Sequence, residues 1–398
     1  MLLIGGATVS AVGSALTLLA VILHLRPLGP AWIAGAMAAE LVPTVLLAAT
    51  SGLVVDRVRN RELLLGALLL DAGAIGLAAA VGVRPGMQWV LLVSLALVGA
   101  SATVAGPVVA ALLPRIVGED GATRAYSWFS VGTQAGGLAG FALAGLLVGA
   151  TSVGTALAVD AVSFLVMAVT IGFVRTQRVP QPHDHEAGLS RWAGFALLRD
   201  DRVLLVGVLG LAAAILASVV VNIAEVFFIL EDVGASATTY GLVTAVWPAA
   251  GLLGGWAAGR LVGDRALLAG LALAGIAMGL GLLLVGAVVS LATLVLGWAL
   301  GGVANSLQRV TMNGLIRSRA ADAVRGRAFA ATGGVFQLAN VAGLSVGTGA
   351  VALLSARGSL FAAGALTVAV GVGTWLGARP ALSDPGAQLA GSAQTRKR

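Results

Sequence analysis

Long apolar runs alternate with short polar segments along nearly the whole chain. Each run holds about 20 residues or more, enough for an α-helix to cross the hydrocarbon core of a bilayer. The pattern therefore predicts an all-α membrane protein. We place its twelve spans at residues 2–23, 31–51, 62–82, 88–112, 126–149, 154–174, 203–229, 240–260, 266–288, 291–312, 328–354 and 358–377.

Composition supports this interpretation and excludes several other classes. The 398 residues are 59% hydrophobic and only 10% charged, whereas soluble domains carry about 25% charged residues. Cysteine is absent, so disulfides and thiolate metal sites are excluded. A net charge of +7 would suggest nucleic acid only if it formed a basic patch on a soluble face. The lipid bilayer, not nucleic acid, is the predicted partner.

The basic residues predict the orientation. Of the 24 Lys and Arg residues, only Arg26, Arg84 and Arg357 fall on one side of the twelve-span layout. Cytoplasmic loops are the ones enriched in Lys and Arg, so both termini are predicted to be cytoplasmic. The nearly exclusive use of arginine, with much Ala, Gly and Val, is typical of a GC-rich bacterium. We therefore predict a multi-pass protein of the bacterial plasma membrane.

The chain also repeats itself. A shift of 203 residues places Gly52 on Gly255, Arg57 on Arg260 and Gln134 on Gln337. This offset predicts two six-helix halves, the arrangement in which a carrier places its substrate between two parallel repeats. We divide the chain into an N-terminal half (1–175), a cytoplasmic loop (176–202), a C-terminal half (203–378) and a cytoplasmic tail (379–398). Within the loop, residues 189–198 predict an amphipathic helix on the inner leaflet.

Four stretches carry a family resemblance. The segment from Gly52 through Asp56-Arg57 to Arg61 resembles the signature between helices 2 and 3 of the major facilitator superfamily of transporters. The stretches 124–166, 222–242 and 325–329 resemble its drug/proton antiporter branch, which includes macrolide-efflux and siderophore-export proteins. The resemblance implies a monomeric carrier of small molecules that works by alternating access. It also implies a cytoplasmic latch built from Gly52, Asp56, Arg57, Arg61, Gly255 and Arg260.

Apart from Glu62 at the edge of its span, four acidic residues lie inside predicted spans. Ionisable groups at this depth are costly and therefore point to function. No basic residue lies at comparable depth, and a carboxyl without an ionic partner in apolar surroundings takes up a proton readily. We predict that Glu40 and Asp71 are the leading sites of proton coupling. Asp160 and Glu225 are two further candidates. The alternative for Asp71 is a hydrogen bond with a backbone or hydroxyl group. The alternative for Asp160 is a structural hydrogen bond across spans, and for Glu225 it is exposure to outer water.

Polar and aromatic residues in the spans are candidates for the wall of a substrate cavity. They are Gln134, Trp247, Asn305, Gln308, Phe336, Gln337 and Asn340. Hydrogen bonds between helices would account for the amides equally well. The stretch His183–Glu186 contains potential metal ligands, but no other ligand set converges on it, so we assign no metal site.

The predicted function is secondary active transport, most simply proton-coupled efflux of hydrophobic or amphipathic small molecules. The substrate and protons are its partners. The chain has no phosphate-binding loop, nucleophile elbow or HExxH motif, so we predict neither an enzyme nor a cofactor. A siderophore or polar-metabolite carrier is one alternative. A membrane receptor or scaffold that has lost transport is another.

Overall fold

In a computed structural model the chain is helical, and within residues 2–57, 60–117, 119–173 and 193–383, which the structure describes, there is no β-strand. The predicted all-α membrane fold is confirmed. Twelve helices occur in these ranges: α1 (Leu2–Leu25), α2 (Pro30–Arg57), α3 (Asn60–Leu77), α4 (Gln88–Val117), α5 (Glu119–Ala150), α6 (Val153–Gly172), α7 (Ala193–Asp200), α8 (Arg202–Phe227), α9 (Ala237–Ala258), α10 (Asp264–Ala287), α11 (Leu291–Arg319) and α12 (Asp322–Ser383).

Eleven of the described helical segments are long and apolar enough to cross a membrane. The last of them, Val324–Ala378, has 55 residues, far more than one crossing needs. It is interrupted at Ser355, whose φ of 65° and ψ of 172° are not helical. Ser355 lies between the predicted spans 328–354 and 358–377, so α12 contains both of them.

At one end of the bundle the helices run further than predicted. The predicted loop from Gly52 to Arg61 is largely helical, because α2 continues to Arg57 and α3 begins at Asn60. The hydropathy pattern marks where apolar residues stop, but the residues from Leu53 to Arg57 include neither proline nor a further glycine. The helical hydrogen bonds can therefore continue past the end of the apolar run.

The chain forms two compact units. The first, unit 1, contains Met1–His185 and Val226–Pro248. Inside it α1 packs on α5 and α6, α2 on α4, and α3 on both α4 and α6. Glycines allow the closest of these contacts: a side chain added at Gly140 of α5 would meet the backbone oxygen of Val12 at 2.5 Å. Close backbone approach through small residues is how helices associate in lipid.

The second unit, unit 2, contains Glu186–Glu225 and Ala249–Arg398. There α10 packs on α11 and α12, and the short helix α7 packs on α12 with Leu198 buried. The predicted amphipathic helix at 189–198 thus corresponds to α7 only from Ala193 onward, and residues 189–192 lie outside the described part. Packing against α12, a protein surface, holds the described turns of this helix.

An ionic cluster ties three helix ends together in unit 2. The Arg319 guanidinium donates from Nε to Asp201 Oδ2 and from Nη1 to Asp264 Oδ2, both at 2.7 Å. The other oxygen of Asp201 accepts from the backbone N–H groups of Val203 and Leu204 and so caps α8. The ends of α8, α10 and α11 are therefore joined by charge-assisted hydrogen bonds.

Candidate functional site

A cavity of about 430 Å³ lies within unit 1. Helices α1 to α6 all contribute to its wall, and it extends toward the end of the bundle at which α1, α3 and α5 begin. Two carboxylic acids, Glu40 and Asp71, are the acidic members of its lining. The lining also contains aromatic, thioether and hydroxyl side chains: Ser10, Ser14, Tyr126, Phe129, Thr133, Phe164 and Met167.

A second cavity of about 280 Å³ lies deeper in the same unit. It is lined by Asp160 and Thr17, and it shares four residues with the first cavity: Ser14, Glu40, Val98 and Phe164. Glu40 therefore stands where the two cavities meet. The three acids predicted from the first half of the chain, which lie on three different helices, are brought to adjoining walls.

Backbone packing of α2 against α4 fixes the position of Glu40. A Cβ added at Gly99 of α4 would collide with the backbone oxygen of Glu40. The Thr44 hydroxyl donates to the carbonyls of both Glu40 and Gly99, at 2.9 Å each. Pro43 has no N–H to give to the preceding turn, so this threonine supplies a hydrogen bond at a weakened point of the helix.

The Asp71 carboxylate is buried, with 5% of the residue exposed. Ser101 of α4 donates its hydroxyl to Asp71 Oδ1 at 2.6 Å. The same hydroxyl lies 3.0 Å from the carbonyl of Val98, so Ser101 has a second acceptor available. Asp71 is thus held by one short hydrogen bond between α3 and α4.

Asp160 is the most enclosed of the three acids, with 1% exposed. Its Oδ2 accepts from Thr17 of α1 at 2.5 Å, and its Oδ1 accepts from Ser163 at 3.0 Å. Gly13 makes room for this arrangement, since a Cβ there would collide with both Asp160 and Ser163. The structural alternative considered for Asp160, a hydrogen bond between spans, is present.

The remaining cavity candidates lie elsewhere, and none of them lines the two cavities of unit 1. Gln134 bonds to Ser130 of its own helix at 3.3 Å, and Asn340 bonds within α12 to Phe336 and Gln337. Gln308 is buried in unit 2, whereas Glu225, Trp247, Asn305, Phe336, Gln337 and Asn340 are partly exposed.

The predicted latch is described only in part. The backbones of Gly52, Asp56 and Arg57 lie in α2, but the side chains of Asp56 and Arg57 are outside the described part, as is the whole stretch His183–Glu186. Arg61 donates to the carbonyl of Gly172 at the end of α6. The Arg260 guanidinium lies 3.3 Å above the ring of Trp256, and Gly255 has open space beside it.

Several residues of the site were not found from the sequence. Ser101, Thr17 and Ser163 hold the two buried carboxylates, and Phe164 lines both cavities. A hydroxyl in an apolar span is too common to be informative by itself, because it can bond to its own helix. A buried acid requires a hydrogen-bond donor, and this requirement could have been read from the sequence. It does not indicate which helix supplies the donor.

Comparison with known proteins identifies the class of protein. Residues 1–230 match the family model described as Major Facilitator Superfamily. The match covers more than half of the chain, which therefore belongs to the Major Facilitator Superfamily. It is a multi-pass membrane transporter and not an enzyme, with a small molecule as its substrate. No curated relative matches the chain by sequence.

Solved structures with the same fold span nearly the full chain. "In meso crystal structure of the POT family transporter PepTSo" has a TM-score of 0.74 at 12% identity, covering 96% of this chain and 98% of that one. The nucleoside transporter NupG has a TM-score of 0.74 at 14% identity, covering 94% and 96%. A bacterial homologue of the iron transporter ferroportin, in an inward-facing state, has a TM-score of 0.71 at 16% identity, covering 95% of this chain and 98% of that one. At these identities the likeness concerns the fold alone.

Proposed function

We propose that this chain is a proton-coupled exporter of hydrophobic or amphipathic small molecules, working as a monomer by alternating access. It would lie in the bacterial plasma membrane with both termini in the cytoplasm. The observation that carries the proposal is the position of Glu40, whose carboxylate lies where the two cavities of unit 1 meet. A carboxyl there can take a proton from one cavity and release it to the other.

The cavity wall favours apolar substrates over polar ones. Two of its hydroxyl groups are already used within their own helices: Ser14 donates to the carbonyl of Ser10, and Thr133 to that of Phe129. A site that recognises a polar metabolite needs free hydrogen-bonding groups placed around it. This wall supports an amphipathic substrate instead of the peptide or nucleoside carried by proteins of the same fold.

Glu40 and Asp71 have different roles in the proposal. Asp71 is buried and bonded to Ser101, so its proton exchange requires α3 and α4 to part slightly. Glu40 is exposed to the cavity and can exchange with it directly. Glu40 is then the group at which protons and substrate compete, and Asp71 links that exchange to helix movement.

The test measures proton movement in proteoliposomes that enclose a pH-sensitive dye under an imposed proton gradient. Cationic dyes, macrolides and siderophores are added in turn. We expect a transported compound to move protons, and Glu40→Gln and Asp71→Asn to lower the initial rate about tenfold or more. Asp232→Asn, which removes an exposed acid outside both cavities, should keep the rate within about twofold.

The contrary results are distinct. Unchanged proton movement in both variants would refute coupling through these acids. Substrate movement without proton movement would indicate an uncoupled carrier, and binding without any movement would indicate a receptor. Thermal melting of each purified variant shows whether a lost rate reflects lost folding.

A further inference from the structure

Among the three acids of the cavities, only the Glu40 carboxylate has no hydrogen bond or ion pair with a residue that the structure describes. Asp71 and Asp160 each accept from hydroxyl groups and are nearly inaccessible. Glu40, in contrast, exposes its side chain to the space between the helices. It is therefore the acid that remains available to a bound molecule.

The walls around Glu40 offer contacts for an apolar body. Tyr126 and Phe129 of α5, with Phe164 and Met167 of α6, line the first cavity, and Phe164 also lines the second. Aromatic faces attract cations through their quadrupole, and a thioether packs well against irregular apolar groups. Among the described residues that line the two cavities, none is Lys, Arg or His.

A negative charge in such surroundings is costly unless it is paired. A cationic ligand would supply the missing charge, whereas a neutral ligand would leave it unpaired and an anion would add repulsion. The volume of about 430 Å³ lies within the range of small-molecule sites, roughly 300–1,000 Å³. The charge of Glu40, the apolar wall and the volume of the cavity therefore all favour a small cationic ligand with an apolar body.

We propose that the cavity of unit 1 binds amphipathic organic cations, with Glu40 as their counter-ion and the aromatic residues of α5 and α6 around their apolar part. This inference rests on the proposed function and narrows its substrate to one charge class. Asp71 and Asp160, which are already bonded, position helices and make no direct contact with the cation.

The test uses two probes of the same size and shape but opposite charge. Radiolabelled tetraphenylphosphonium is bound at equilibrium to the purified full-length protein in detergent, with tetraphenylborate as competitor. We expect saturable binding of the cation and competition by the anion that is weaker by about tenfold or more. Glu40→Gln should weaken cation binding about tenfold or more, since one charge pair in an apolar site is lost.

Two further variants separate charge from folding. Glu40→Asp keeps the carboxylate and should retain binding within about fivefold, whereas a purely structural role for Glu40 would make both variants fail together. Asp232→Asn removes an acid that lines neither cavity and should bind like the wild type. Wild-type affinity in Glu40→Gln, equal competition by the anion, or no binding of the cation by folded wild-type protein would each overturn the inference.

The binding test and the proton-flux test can fail independently. Cation binding that depends on Glu40, without proton movement, would keep the ligand class and refute proton-coupled export. Proton-coupled movement of neutral compounds, with no binding of the cation, would keep the export function and refute the ligand class.

Discussion

The two units of this carrier differ in what surrounds the acidic residues near their cavities and helix ends. In unit 1, Glu40, Asp71 and Asp160 lie beside cavities. Hydroxyl groups donate to Asp71 and Asp160, whereas Glu40 has no such donor among the described residues. Unit 2 pairs Asp201 and Asp264 with Arg319 at the helix ends. A cavity of unit 2 lined by Gln308 and Thr367 has only about 10 Å³, roughly room for one water.

The sequence repeat shows where the halves diverged. At the 203-residue shift, Glu40 falls on Val243 and Asp71 on Ala274, both of which are buried and apolar. The repeat in the sequence therefore does not extend to these two intramembrane acids. We infer that proton and ligand chemistry is concentrated at the two cavities of unit 1 that Glu40 lines. The predictions that follow test this contrast.

The largest effect is expected at the helix contact that positions Glu40. Gly99→Ala places a methyl group against the backbone oxygen of Glu40, and backbone cannot move aside as a side chain can. We expect α2 and α4 to separate, with transport lost and the melting temperature of the purified protein clearly lowered.

Gly73→Ala is the matched control, because open space lies beside Gly73 in the same unit. Its transport and melting temperature should stay close to those of the wild type. If Gly99→Ala were also tolerated, the close contact of α2 with α4 would not be what positions the acid.

An intermediate effect is expected in unit 2. Arg319→Gln leaves Asp201 and Asp264 without their cation in a site where the arginine side chain is only 20% exposed. We expect the free energy of unfolding to fall by about 2–3 kcal/mol, measured by denaturant titration in detergent, while tetraphenylphosphonium binding in unit 1 is unchanged.

Arg199→Gln is the control for Arg319, since it removes an arginine whose ion pair with Asp200 is largely exposed. That change should cost less than about 1 kcal/mol. A loss of cation binding in folded Arg319→Gln protein would show that the ligand chemistry is not confined to unit 1.

The smallest effect on the free energy of unfolding is expected at the contacts between the first and last helical spans of each half. Asp160→Ala in unit 1 removes hydrogen bonds to Thr17 and Ser163 and should lower the free energy of unfolding by about 1–3 kcal/mol. Thr374→Ala in unit 2, where Thr374 lies against Gly210, should cost less than about 1 kcal/mol. Equal losses would mean that Asp160 contributes only packing.

Much of the fold followed from the sequence because membranes impose a simple rule. Backbone polar groups in lipid must be bonded within a helix, so hydropathy alone located the spans, including both parts of α12. The ends were less well predicted: α2 runs to Arg57, because a helix can continue into water after its apolar run has stopped.

Only part of the candidate site could be predicted from the sequence. The sequence by itself determined that Glu40, Asp71 and Asp160 lie within spans, since charged residues stand out in apolar runs. Only the tertiary structure decided that they lie beside adjoining cavities, that Ser101 and Thr17 donate to the buried two, and that Glu40 lines both cavities. Such partners lie on other helices, 30 or more residues away, and their choice depends on how the helices pack.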